Sequence, residues 1–179
     1  VKTGMVILAG EITSNAKVSF DNIARDTLRK IGYTSTDVGC DADTCAVLTN
    51  ITQQSGDIAQ GVNEDEGAFQ GQGAGDQGLM FGFACDEPPE YMPLPIALSH
   101  RLVEKLAQLR HQGAVDYLRP DSKSQVTVRY VDGKPKEVDA VVISTQHDEE
   151  VDRETLEAFV REEVVRPIVP DNFLTENTK

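Results

Sequence analysis

Lys123 stands two residues from Asp121 in Arg119-Pro120-Asp121-Ser122-Lys123, and this segment of the 179-residue sequence is well suited to meeting a polyanion. A lysine ammonium contacts phosphate as a compact charge, while a neighbouring carboxylate holds a ribose hydroxyl, an amine or a metal ion. The same residues also make an ordinary surface ion pair stiffened by Pro120. A second segment, Gly73-Ala74-Gly75-Asp76-Gln77-Gly78, combines a freely bending backbone with an acid and an amide. Asp76 can accept from a substrate ammonium, and Gln77 can donate to a carboxylate. The glycine spacing matches neither standard phosphate-loop motif, so a tight structural turn and a ligand loop stand at even weight. Glu11 lies just past the apolar run Val6-Ile7-Leu8-Ala9. Gln53-Gln54-Ser55-Gly56-Asp57 opens a long glycine-rich stretch. Both are places where polar side chains reach ligands, and both also suit plain solvation.

The elements that must position these residues follow from hydrophobic spacing. Val6–Ala9 reads as a short strand continued by Glu11-Ile12-Thr13. Ser19 is a fitting N-cap for a helix carrying Phe20, Ile23, Ala24, Leu28 and Ile31, and Gly32 is a fitting stop. A second helix is expected after Asp43, through Ala46, Val47 and Ile51. From Gln53 to Gly78 no periodicity survives; glycines break it and Asp57, Glu64, Asp65 and Glu66 solvate it, which suggests a lid or binding loop. Leu79–Ala84 reads as a compact apolar strand. Beyond the prolines at 88, 89, 93 and 95, Ile96, Leu98, Leu102, Leu106 and Leu109 give an amphipathic helix ending at Gly113. Val126, Val128 and Tyr130 alternate with polar residues, Asp132-Gly133 signals a turn, and Val138–Thr145 returns as a second strand. Asp152 then caps a helix bearing Leu156, Phe159, Val160 and Val164, closed by Pro167. Strand followed by helix thus recurs, predicting an α+β fold of pseudo-repeated two-layer units, each a sheet backed by helices.

Composition narrows the partners. A net charge of −13 argues against a nucleic-acid surface or an anionic membrane face, while leaving room for a small anion held by a few focused cations. No apolar run approaches the ~20 residues of a membrane helix. Three cysteines, Cys40, Cys45 and Cys85, form no paired motif and predict reduced thiols, most simply buried, in a cytoplasmic setting. His147 neighbours Asp148, Glu149 and Glu150, but no second histidine supports a metal site there, and a solvated turn is the favoured reading.

Taken together, these segments resemble the S-adenosylmethionine synthetases (methionine adenosyltransferases). The string Gly73-Ala74-Gly75-Asp76-Gln77-Gly78-Leu79-Met80-Phe81-Gly82 is similar to that family's signature. Gly10-Glu11-Ile12-Thr13, Gln53-Gln54-Ser55, Leu118–Val126 and Ser144-Thr145-Gln146-His147 support it in order and spacing. The resemblance implies interleaved α+β domains, with residues 1–70 a partial amino-terminal region ending in the active-site loop and 71–179 the central region. It implies the formation of S-adenosylmethionine from ATP and L-methionine, with the triphosphate hydrolysed to pyrophosphate and phosphate. Glu11, Gln54 and Asp76 would hold methionine. Asp121, Ser122 and Lys123 would hold ATP, with Lys123 and Asp76 the catalytic pair. Gln54, Ser55, Gly56, Asp57 and Gly61 would belong to a flexible loop over the site. Mg²⁺ and K⁺ would be the cofactors, with metal ligands outside this chain. The partners would be a homodimer with shared active sites, or a tetramer built from it, with no nucleic acid and no membrane. The family's His-Pro-Asp-Lys motif and its later glycine-rich string are absent, and Gly56 stands where the family usually has proline. The sequence therefore reads as an interior piece of a longer chain, inactive alone. The alternatives are a catalytically incomplete relative that retains only the dimerisation surface, and a metal-dependent hydrolase built on His147, Asp148 and Glu149.

Overall fold

The computed structural model describes residues 3–64, 70–75 and 77–179. The chain divides into two compact units, 1–82 and 83–179.

In the first unit, β1 (Met5–Glu11) and β4 (Ala46–Thr52) form a parallel pair, from Met5 opposite Ala46 to Glu11 opposite Thr52. Between them run α1 (Phe20–Ile31) and a small antiparallel pair, β2 (Thr34–Ser35) with β3 (Cys40–Asp41). The helix begins and ends where its sequence directs. The Ser19 hydroxyl oxygen accepts from the Asn22 N–H at 3.3 Å. Gly32, at φ +106°, donates its N–H to the Leu28 and Arg29 carbonyls, a left-handed cap that suits glycine. Ala24 and Leu28 turn inward onto Val6, Cys40, Ala42 and Cys45, a core of mostly small side chains.

Three expectations are corrected here. The helix expected after Asp43 is strand β4. Its run Val47-Leu48-Thr49-Asn50-Ile51-Thr52 is rich in β-branched residues, and pairing with β1 overrides the helical spacing. The stretch from Gln53 to Gly78, read as free of periodicity, contains α2 (Gly56–Val62), with Ile58 and Val62 one turn apart. The strand expected at Leu79–Ala84 does not form; Leu79, Met80 and Phe81 are 83%, 92% and 93% exposed in irregular backbone. Apolar character alone makes no strand without a neighbour to pair with.

The second unit is built on α3 (Leu94–His111) packed against a long antiparallel hairpin, β5 (Leu118–Val131) and β6 (Lys134–His147). Leu98 and Leu102 are fully buried, and Leu94, Leu106 and Leu109 continue the same stripe onto Leu118, Val126 and Val138. Each such leucine contributes roughly 2–3 kcal/mol of burial. The helix start is held by Glu87, whose carboxylate accepts from the Leu94 N–H and from the Tyr130 hydroxyl, each at 2.7 Å. Burial, together with the Glu87 carboxylate, pushes the Tyr130 phenol up to about 12. The hairpin turns at Asp132-Gly133, both at positive φ, as the Asp-Gly pair predicts.

After β6, Asp152 caps α4 (Arg153–Phe159), which passes into a π turn (Val160–Val165) and then α5 (Arg166–Ile168). The π turn inserts a residue and still presents Val164, fully buried, to the core. Pro167 lies inside this last short helix, which ends one residue later. The α+β class expected from the sequence is the class observed, carried among the described residues by three two-stranded sheets.

Candidate functional site

Parallel pairing of β1 and β4 brings two distant candidates to one end of a sheet. Glu11 is the last residue of β1 and lies opposite Thr52, the last residue of β4. The Ile12 N–H donates to the Thr52 carbonyl at 2.9 Å, so the ladder extends one rung past Glu11. Gln53 and Gln54 leave the sheet at that same end. The carboxyl end of parallel strands is a recurrent place for ligands, because the chains diverge there and leave a crevice. Here the crevice is an open pocket of about 600 Å³, lined by Ile12, Thr13, Ser14, Asn15, Thr52 and Gln53 among others. Glu11 is exposed. The Gln54 carbonyl oxygen Oε1 is buried without a hydrogen-bond partner among the described residues. A buried amide oxygen in that condition costs about 1–3 kcal/mol, so a ligand donor there would relieve it.

Ser14 and Asn15 were not singled out from the sequence, yet they wall this pocket. Their signal was position, a polar run immediately past a strand end. The Ser14 hydroxyl already accepts from the Ala16 N–H at 3.0 Å.

The glycine-rich segment has one position where the backbone demands glycine. The Gly73 N–H donates to the Val62 carbonyl at 3.3 Å, and a Cβ on Gly73 would lie 1.8 Å from the Gly61 carbonyl oxygen. This close approach seats the segment on the end of α2. Asp76 lies outside the described residues. Ser55 is the N-cap residue of α2 but makes no side-chain capping bond, and Gly56, Asp57 and Gly61 lie within that helix.

In the second unit, Asp121, Ser122 and Lys123 sit inside β5, not at a loop-to-strand junction as the sequence suggested. Strand alternation therefore splits them. Asp121 and Lys123 are exposed on one face, about 7 Å apart by strand rise. Ser122 turns to the opposite, half-buried face with Ser124, whose hydroxyl donates to the Ser99 carbonyl of α3 at 2.7 Å. Lys123 pairs across the ladder with Ser144, and Ser122 with Thr145. No ion pair among the described residues engages Lys123, so its charge stays available on an open sheet face.

The His147 group does not assemble into a metal centre. The Asp148 carboxylate is taken by the Arg119 guanidinium and also accepts from the Glu150 N–H at 3.4 Å. His147 ends β6 with Nδ1 at 2.6 Å from the Asp148 carbonyl oxygen. Among the described residues, no group of three or more histidine, cysteine, aspartate or glutamate side chains could hold a metal ion. The described residues thus assemble no such site for the ions that the resemblance implies. Cys40 and Cys45 are buried and Cys85 half-buried, all as free thiols; burial first, then the neighbouring Cys45, raises the Cys40 thiol. No described helix is long and apolar enough to cross a membrane.

The fold and its polar positions are those of an α+β protein with candidate binding residues at the carboxyl end of a parallel pair and on an open antiparallel face. The S-adenosylmethionine synthetase central domain matches residues 71–179, and the N-terminal domain of the same family matches residues 1–56. The chain belongs to the S-adenosylmethionine synthetase family. It is 57% identical over its full 179 residues to an S-adenosylmethionine synthase of Desulfosudis oleivorans. It spans about half the length of that relative, 46%.

Proposed function

We propose that this chain is part of an enzyme that makes S-adenosylmethionine from ATP and L-methionine and then hydrolyses the released triphosphate. The observation that carries the reading is the parallel pairing that sets Glu11 at the end of the sheet from which Gln53 and Gln54 leave, in a chain that matches the family's N-terminal and central domains. A free amino acid presents an ammonium and a carboxylate. Glu11 accepts from the ammonium, and the unpaired Oε1 of Gln54 accepts a further N–H. Asp76 completes the methionine side. Asp121 and Lys123 face ATP from the open side of β5, with Ser122 set behind them. Residues 54–61 belong to the segment that covers the site.

The chemistry asks little of a base. The neutral methionine sulfur donates its lone pair to the ribose C5′ as the C5′–O bond breaks, and that electron pair leaves with the triphosphate. No proton moves in this step. The barrier lies in charge gathering on the leaving oxygen and in alignment of sulfur with the C5′–O bond. Lys123 answers the first, and Glu11, Gln54 and Asp76 answer the second. Mg²⁺ and K⁺ belong to ligands supplied from elsewhere in the longer, oligomeric protein.

Lys123→Met in the full-length protein tests the assignment. The expected result is a kcat lowered ~10²–10³-fold, the usual loss for one transition-state contact, with a far smaller change in the methionine KM. A kcat within about threefold of the unsubstituted protein, against that expectation, removes Lys123 from the triphosphate.

A further inference from the structure

Lys179 is already hydrogen-bonded to the edge of β6. Its N–H donates to the Asp139 carbonyl at 3.0 Å, and its carbonyl accepts from the Val141 N–H at 2.9 Å. One residue that bridges the carbonyl of residue 139 and the amide of residue 141 makes the hydrogen-bond pattern of a parallel pair. The Thr178 hydroxyl, donating to the Val138 carbonyl at 2.7 Å, fixes the approach.

The rest of that edge is open. Within the described residues β6 pairs only with β5, on its other side. Asp139 and Val141 turn these backbone groups away from β5, and alternation gives Ile143 and Thr145 the same outward orientation. Beside the edge lies an open groove of about 670 Å³ with a mixed lining, apolar at Val141, Ile143 and Val160 and charged at Arg153, Arg161 and Arg166. Its far wall is α4 with the π turn. An exposed strand edge normally carries lysine, proline or a bulge that blocks pairing. The run Asp139-Ala140-Val141-Val142-Ile143-Ser144-Thr145 carries no lysine or proline, and its ladder to β5 shifts register only before Ala140.

We propose that the β6 edge from Val141 to Thr145 takes, as a parallel strand, the polypeptide that directly follows Lys179 in the longer family protein. Two observations choose this occupant over any other. Lys179 is already in register on the edge. The chain covers only 46% of its relative, and residues 71–179 match a domain described as central, so the family polypeptide has length to supply. The register is then fixed. The second residue past Lys179 donates to the Val141 carbonyl and accepts from the Ile143 N–H, and the fourth accepts from the Thr145 N–H. The first and third residues point into the groove, on the side of Val141 and Ile143. The sheet of the second unit is thus completed in parallel, next to its antiparallel hairpin.

Amide hydrogen exchange in the full-length protein tests this, with a readout independent of turnover. The Ile143 and Thr145 amides should exchange at least ~100-fold more slowly than unprotected amides, at every protein concentration. Proline at the second residue past Lys179 should restore fast exchange at Thr145 and Ile143 while leaving Ser144 protected by β5. Fast exchange at both amides in the unsubstituted protein overturns the proposal. Protection that fades on dilution also overturns it, since a second copy would then be the occupant. If the proline variant does not fold, the unsubstituted protein's exchange and its concentration dependence decide alone.

Discussion

The two units carry opposite allocations of apolar surface. In unit 83–179, leucines at 94, 98, 102, 106 and 109 close onto Leu118, Val126, Val138, Val164 and Val169 in one cluster. In unit 1–82, the buried set is Val6, Ala24, Leu28, Cys40, Ala42 and Cys45, and larger side chains lie outside it. Ile7 and Leu48, opposite each other on the far face of the β1–β4 pair, are 60% and 53% exposed. Yet the pocket walls and the unpaired Gln54 oxygen belong to this thinly packed unit. The candidate residues are split across that difference: Glu11 and Gln54 belong to the thinly packed unit, where openness works against packing, while Asp121, Ser122 and Lys123 lie on a strand of the densely packed one.

The sharpest way to break that comparison is to truncate one leucine in each core. Leu102→Ala removes a fully buried side chain from a dense cluster, and destabilisation toward the upper end of ~2–5 kcal/mol is expected. Leu28→Ala, among alanines and cysteines that can settle inward, should fall toward the lower end of that range. Chemical denaturation of both variants measures the gap. Equal costs would mean that the two cores are packed alike.

The same contrast explains what the sequence disclosed. Where local signals and packing agree, the reading holds: Ser19 and Gly32 bound α1, Asp132-Gly133 turns the hairpin, and the leucine spacing of α3 marks the main core. Where a long-range partner decides, it fails. Ala46–Thr52 has helical spacing but lies beside β1, some forty residues earlier in the chain. Leu79–Ala84 has strand character but finds no partner strand among the described residues. For the candidate site, residue types were legible and orientation was not. Asp121, Ser122 and Lys123 read as one cluster, but lie on alternating faces because they fall inside a strand. The pairing that sets Glu11 opposite Thr52, two residues before Gln54, could not be read from either segment by itself, since parallel strands join residues far apart in sequence.

A finer test asks whether the first unit gives up stability for function. Gln54→Met keeps the volume and removes the amide oxygen that lacks a partner. Thermal unfolding should show no loss of stability, because an unsatisfied buried acceptor is removed. The methionine KM should nevertheless rise ~10–100-fold, the loss of a hydrogen bond to a charged group. A clear drop in stability with unchanged KM would make Gln54 a structural residue and erase this side of the comparison.

The smallest expected effect separates the units by how their helices are capped. Both α1 and α4 begin on a side-chain oxygen that accepts a backbone N–H three residues on. In the first unit the acceptor is the neutral Ser19 hydroxyl; in the second it is the Asp152 carboxylate, 2.8 Å from the Thr155 nitrogen and 2.7 Å from the Thr155 hydroxyl oxygen. The Thr155 N–H, followed by its hydroxyl, holds the Asp152 carboxyl below its usual 3.8. A depressed folded-state value means the cap's contribution is complete above the unfolded value of about 3.9 and is lost as pH falls through the lower folded value. Acid should therefore weaken the start of α4 below about pH 3.8, while the Ser19 cap does not titrate at all. Ser19→Ala should cost ~1 kcal/mol by the same amount at neutral and acid pH, whereas Asp152→Asn should remove the pH dependence at α4. Carboxyl carbon shifts of Asp152 followed by NMR, together with amide exchange at Thr155, read this directly. A midpoint at or above the ordinary aspartate value, or an α4 start insensitive to acid, would show that Asp152 caps no more strongly than Ser19, and that the two helices differ in sequence only.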